Sequence, residues 1–172
     1  MAQQFTQLAK KHALVIILVA LAIATYTRYF FTTNPRFEVL QTTMQNLDIP
    51  LLFEKSPIII EDRLVTPYAA IDTMFKYLYV RKKEWVINNN VFNPFARNTH
   101  RYIYIYASSP INVQLIHPNL YNNGRPSNVL SLSLQNHQSL IIPMFWYYSI
   151  KGNAFSIELD SIFSAVYSTV IK

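Results

Sequence analysis

This sequence predicts a mainly β protein: an antiparallel sandwich with one short amphipathic helix, preceded by an N-terminal transmembrane helix. Three observations carry that expectation. Residues 13–27 contain no charge. Residues 67–80 place apolar side chains at helical spacing. From Arg101 onward the hydrophobic period drops to two, the period of a strand with one face buried.

The amino-terminal segment reads "KKHALVIILVALAIATYTRYF" (residues 10–30). Its fifteen uncharged residues, Ala13–Thr27, span about 22 Å as a helix, short of a hydrocarbon core of about 30 Å. Snorkelling by Lys10, Lys11 and Arg28 extends the reach, and Tyr26, Tyr29, Phe30 and Phe31 suit the interfacial aromatic belt. The residues expected to form the anchor are Lys10, Lys11, Ala13, Ile16, Leu18, Leu21, Ile23, Tyr26 and Arg28. Ala22-Ile23-Ala24 also matches a signal-peptidase site, so the same residues fit a cleaved leader. The sequence begins at Met1, and we expect the segment to be retained. Lys10 and Lys11 precede it while Arg28 and Arg36 follow, so flanking charge sets no orientation. Thr32-Thr33-Asn34-Pro35 is a polar break. The expected division is therefore an anchor and linker at 1–36 and a β-sandwich at 37–172.

Within the body, "LLFEKSPIIIEDRLV" (Leu51–Val65) reads as two short strands. Thr66-Pro67 is a helix-start signal, an N-cap followed by proline in the first turn. Ile71, Met74, Phe75 and Leu78 follow at i, i+3, i+4, i+7, which predicts an amphipathic helix from Pro67 to about Val80. "RYIYIYAS" sets Tyr102, Tyr104 and Tyr106 against Ile103 and Ile105. "INVQLIH" and "VLSLSLQ" alternate in the same way. "QNHQ" (Gln135–Gln138) makes a turn, and "SLIIPMFWYYSI" is a buried strand interrupted at Pro143. Lys151-Gly152-Asn153 reads as a hairpin turn into "AFSIEL". Short strands at regular spacing predict a sandwich or small barrel of the jelly-roll or cupin kind. Residues 160–172 fit a helix or a strand.

Composition narrows the function classes. The chain is 51% hydrophobic, 15% aromatic and 14% charged, where about a quarter is usual for charge. Such a surface fits coverage by a membrane or by partners. With no cysteine, disulfides, thiolate nucleophiles and cysteine-bound zinc are excluded. The net charge of +6 is scattered apart from Arg81-Lys82-Lys83, so no nucleic-acid partner is expected. Between Glu84 and Glu158 lie 73 residues without an acid, which denies paired-carboxylate chemistry to that stretch. His12, His100, His117 and His137 stand alone in sequence. The only glycines, Gly124 and Gly152, build no phosphate loop or nucleophile elbow. No catalytic, cofactor-binding or metal-binding residue is assigned, and the chain is expected not to be an enzyme.

At "INVQLIHPNLY" and "VLSLSLQNHQSLIIPMFWYYSI" a strand ending in His-Pro precedes a buried Leu-Ile-Ile-Pro-x-x-Trp strand. This resembles the cupin-like double-stranded β-helix. Together with "EKSPIIIEDRLVTPYAAIDTMFKYLYV", residues 50–160 resemble small β proteins of nucleocytoplasmic large DNA viruses. The metal-binding histidine and acid positions of catalytic cupins are unmatched, so no catalytic residue is carried over. The resemblance implies a minor capsid protein tied to the inner membrane of a virion, with capsid or other virion proteins and the lipid membrane as partners and no small-molecule substrate. Its interface candidates are Arg81, Lys82, Lys83, Tyr102, Tyr104 and Trp146. Two alternatives stay open: a secreted or tethered binding module, for carbohydrate among other ligands, and a cupin-type metalloenzyme using at least two of His100, His117 and His137.

Overall fold

In the computed structural model, which describes residues 2–72, 81–122, 125–126, 128–161 and 164–167, a single long helix precedes a curled β body. The chain divides into two compact units, Met1–Thr33 and Asn34–Lys172. The helix of the first unit, α1 (Ala2–Phe31), runs for 30 residues without an internal glycine or proline. Its last hydrogen bonds include Thr32 N to Arg28 O at 3.1 Å. Pro35 disfavours helical backbone at the residue before it.

The second unit opens with β1 (Leu40–Thr42), a short helix α2 (Ile49–Phe53) and β2 (Ile58–Ile60). There follow β3 (Arg81–Asn89), β4 (Ala96–Arg97), β5 (Tyr102–Ala107) and β6 (Ile111–Ile116). A 3-10 turn, Pro118–Leu120, leads to β7 (Tyr121–Asn122) and β8 (Arg125–Pro126), a two-stranded ribbon of their own. β9 (Leu130–Leu134), β10 (Ser139–Pro143) and β11 (Tyr147–Asp160) complete the order.

One strand belongs to two sheets. The first half of β11, Tyr147–Lys151, pairs with β6, its Tyr147 and Tyr148 pair with β4 on the other side, and β6 continues the sheet to β9. The second half, Gly152–Asp160, pairs with β3 on one side, and residues 154–159 pair with β5 on the other. From β5 this sheet continues through β10 and β2 to β1, and only the β1–β2 pair is parallel. The result is a mainly β, curled sheet that folds back over itself. That coarser description stands where the sequence predicted a jelly-roll sandwich.

Two hydrophobic clusters follow from this curl. Ile103, Ile105 and Leu140 of the β5 sheet meet Val113, Leu115 and Ile150 of the β6 sheet in the inner cluster. Tyr102, Tyr104 and Tyr106 point to the other face, under Leu47, Leu52 and Leu64 of the covering segment. Both faces of β5 are therefore buried, which explains its six consecutive buried residues.

The alternations read at residues 102–107, 111–116 and 130–134 form strands as expected, and Pro143 ends β10 where the interruption was read. Phe145, at φ 76°, then turns the chain into β11. Three expectations are corrected. Leu51–Phe53 belong to a helix rather than a strand, because Asp48 caps it (Oδ1 accepts from Leu51 N at 2.9 Å) and Pro50 pre-sets its first turn. Lys151-Gly152-Asn153 is no hairpin, since β11 runs straight through it. The strand β3 was not foreseen. Of the helix expected at 67–80, residues 69–72 are helical; Met74, Phe75 and Leu78 lie outside the described residues. At the carboxyl end residues 164–167 are helical, with Ser161 N bonded to Ser164 Oγ at 2.9 Å.

Gly152 allows the crossing. Its φ of 126° suits only glycine, and a Cβ there would sit 2.6 Å from Ile111 Cγ2 and 3.2 Å from Ile111 Cα. Backbone strain of that kind costs roughly 1–3 kcal/mol before any clash. Gly152→Ala is expected to lower unfolding stability by more than about 2 kcal/mol, and Ile111→Ala in the same chain to recover only the steric share. Denaturant titration of the wild type and these two variants checks this.

Candidate functional site

A cleft of about 410 Å³ opens on the β3 side of the curl, between the two sheets. Trp85 and Ile87 of β3 form one wall, Tyr148 and Ile150 of β11 the other, with Asn88, Asn89 and Asn93 among the remaining residues. The chain builds it by taking β3 along one half of β11 and then returning beside the other half. Asn93 secures the return: its Oδ1 accepts from Ile150 N at 2.6 Å, and its carbonyl accepts a bond from Ser149 Oγ.

Beside the cleft runs a polar column on the inward face of β11. Ser156, Glu158 and Asp160 alternate along one side of the strand, and register places Trp85 opposite Ser156, Lys83 opposite Glu158 and Arg81 opposite Asp160. His100 closes the column. Its Nδ1 donates to Asp160 Oδ2 at 2.9 Å and its Nε2 to Glu158 Oε1 at 3.0 Å. The backbone at His100 is held by Asn98, whose Oδ1 accepts from His100 N at 2.8 Å and whose Nδ2 donates to Ile142 O at 2.9 Å.

Burial opposes charge on this imidazole, but its bonds to Asp160 and then Glu158 prevail and push its pKa up to about 9. Burial likewise works against the charged form of Asp160, and the bond from His100 prevails, holding the carboxyl below its usual value. Tyr148 moves the other way: burial first, then the charge of Glu158, push its hydroxyl up to about 12. Two polar atoms on the column, Ser156 Oγ and Asp160 Oδ1, are buried without a hydrogen-bond partner among the described residues. Buried polar groups are paired in nearly all native structures, so the column has capacity to spare.

Chemically, the arrangement holds a positive imidazolium between two carboxylates. Both ring nitrogens are committed to these bonds, and among the described residues no group of three or more histidine and acidic side chains is arranged to hold a metal ion. The histidines weighed for the metalloenzyme alternative do not converge. His117 Nε2 donates to Asn34 O at 2.6 Å and His137 Nδ1 bonds Tyr106 Oη.

Of the interface candidates, Tyr102, Tyr104 and Trp146 are corrected: their exposures are 3%, 0% and 1%. The tyrosine hydroxyls explain why burial is tolerated. Tyr102 donates to Leu52 O at 2.7 Å, and Tyr104 shares a 2.7 Å bond with Ser139 Oγ. Trp146 donates to Lys55 O at 3.2 Å, with Phe37 stacked on its ring and His117 edge-on. Arg81, Lys82 and Lys83 begin β3, and the Lys83 ammonium lies 6.0 Å over the Trp85 ring. The anchor candidates all lie in α1. Sequence reasoning missed Trp85, Tyr148 and the pairing of His100; the alternation of Trp85 and Ile87 with Val86 and Asn88 was the available signal.

No protein-family model matches the chain, and no curated protein matches it. Among solved structures it is similar to the Drosophila melanogaster CENP-C cupin domain (9% identity, TM-score 0.35), with 46% of this chain and 59% of that one covered. It is also similar to Streptomyces albus HEPD with 2-hydroxyethylphosphonate and Fe(II) bound (11%, TM-score 0.40, 55% and 21% covered). A third is a dTDP sugar isomerase from Desulfovibrio desulfuricans (13%, TM-score 0.34, 47% and 56% covered). The chain thus spans less than two thirds of each. Because enzymes stand among these neighbours, the expectation that this chain is not an enzyme is withdrawn.

The imidazolium yields a pH prediction. A histidine whose folded pKa is raised adds stability that is complete below its ordinary value of 6.5 and is lost as pH rises through about 9. Lys55, lowered to about 8 by burial and then by Arg101, acts in the opposite sense above that pH. Melting temperature should therefore fall between pH 6.5 and 8, and His100→Gln should flatten the slope. Asp160→Asn should cost about 3 kcal/mol at neutral pH. Calorimetric melts across this range check both, and a flat wild-type profile contradicts the assignment.

Proposed function

We propose that this chain is a single-pass membrane protein whose curled β body is held at the bilayer surface to dock on protein neighbours. In the setting that the sequence resemblance implies, the neighbours are capsid proteins and the bilayer is the inner membrane of a virion. The observation that carries the reading is the segment His12–Phe31, 20 residues of mean hydropathy 2.0 with only 6% buried. At about 1.5 Å per residue it reaches about 30 Å, the thickness of a hydrocarbon core. Ile16, Leu18, Leu21 and Ile23 are all more than half exposed. Water makes such a surface unfavourable, whereas lipid tails solvate it.

The charges agree with that placement. Lys10 and Lys11 stand just before the span and Arg28 near its end, with Tyr26 alongside. The backbone of the span satisfies its own hydrogen bonds as a helix, the requirement for crossing hydrocarbon.

The full chain, expressed in cells, is expected to sediment with membranes and to resist carbonate extraction. Leu18→Arg with Leu21→Arg should release it, since each arginine at the centre of a span opposes insertion by about 2.5–3.5 kcal/mol. A wild-type chain recovered in the carbonate supernatant, or an intact mass showing cleavage after Ala24, contradicts the proposal.

A further inference from the structure

We propose that the cleft between β3 and β11 binds a neutral, polyhydroxylated ligand, the chemistry of a saccharide. The inference is independent of the membrane anchor. A volume of about 410 Å³ lies within the roughly 300–1,000 Å³ range of small-molecule sites. Its lining combines a flat aromatic surface with side-chain amides and a phenol. Trp85 contributes an indole ring, with the Lys83 ammonium 6.0 Å over it, for the C–H surface of a sugar, and Ile87 and Ile150 add apolar contact.

Hydroxylated ligands require donors and acceptors together, and the lining supplies both. Neither Trp85 Nε1 nor Tyr148 Oη hydrogen-bonds another described residue. Asn88 adds a side-chain amide to the lining, and the Asn89 amide is held there by its own bond to Ile150 O at 3.5 Å. Tyr148 remains a protonated donor throughout the physiological range, because burial and the nearby Glu158 raise its pKa.

Charge gives an ionic ligand little. No ionised side chain lines the cleft. At its edge the Lys83 ammonium lies 6.0 Å over the Trp85 ring, and Glu158, opposite Lys83 in register, is bonded to His100. A phosphate or carboxylate would meet that one ammonium and no second cation among the lining residues, whereas a neutral sugar loses no ionic hydration.

The test uses the full chain in phosphocholine micelles, avoiding sugar-headed detergent, with saturation-transfer NMR as the readout. Glucose, N-acetylglucosamine, maltose and chitobiose are the neutral probes; glucose 6-phosphate and glucuronate are the charged ones. Saturation of at least one neutral probe is expected, abolished by Trp85→Ala and weakened about five- to tenfold by Tyr148→Phe, as loss of one hydrogen bond implies. Should Trp85→Ala fail to fold, Tyr148→Phe and Asn88→Ala decide, because neither empties a core position. The proposal is overturned if no neutral probe is saturated, if only the charged probes are, or if the variants leave binding unchanged.

Discussion

Everything in the body depends on β11 passing unbroken from one sheet into the other. The fourteen residues Tyr147–Asp160 are each paired on at least one side, first with β6 and then with β3. Because one strand serves both sheets, the curl, the inner core and the cleft are consequences of a single path. Gly152 is the point at which that path changes plane, and Ile111 packs close enough to exclude any side chain there. Antiparallel sheets commonly turn such corners where a strand bends at a bulge or glycine.

The two faces of the β5 sheet are then finished differently. Inward, aliphatic residues from both sheets interlock. Outward, a row of tyrosines lies beneath Leu47, Leu52 and Leu64, and each hydroxyl finds a partner: Leu52 O, Ser139 Oγ or Leu64 O. An aromatic row with satisfied hydroxyls can therefore be core, although the same side chains on an open sheet would mark an interface. The polar column beside the cleft is the exception, since Ser156 and Asp160 each retain a buried oxygen without a partner among the described residues.

Local pattern revealed the strands whose neighbours are regular. β5 and β6 were legible because each alternates over six residues, and Pro143 announced its own break. What failed was information that resides only in pairing. Lys151-Gly152-Asn153 has the chemistry of a turn, and nothing in those three residues distinguishes a hairpin from a change of sheet. The run at Leu51–Phe53 is as apolar as a strand, and Asp48 and Pro50 outweigh that locally. The acid-free interval separated His100 from Glu158 in sequence, yet antiparallel register between β5 and β11 sets Leu159 opposite Tyr102 and so brings His100 beside Asp160. The long apolar helix near the N-terminus was legible from composition alone, because its length and polarity do not depend on tertiary contacts.

Native-state hydrogen exchange along β11 tests the central claim most directly. Amides on both sides of Gly152 are expected to exchange as one cooperative unit, among the slowest in the chain, because a shared strand opens only when both sheets open. Independent exchange of the two halves, with the amides of residues 151–153 released early as in a hairpin turn, would contradict it.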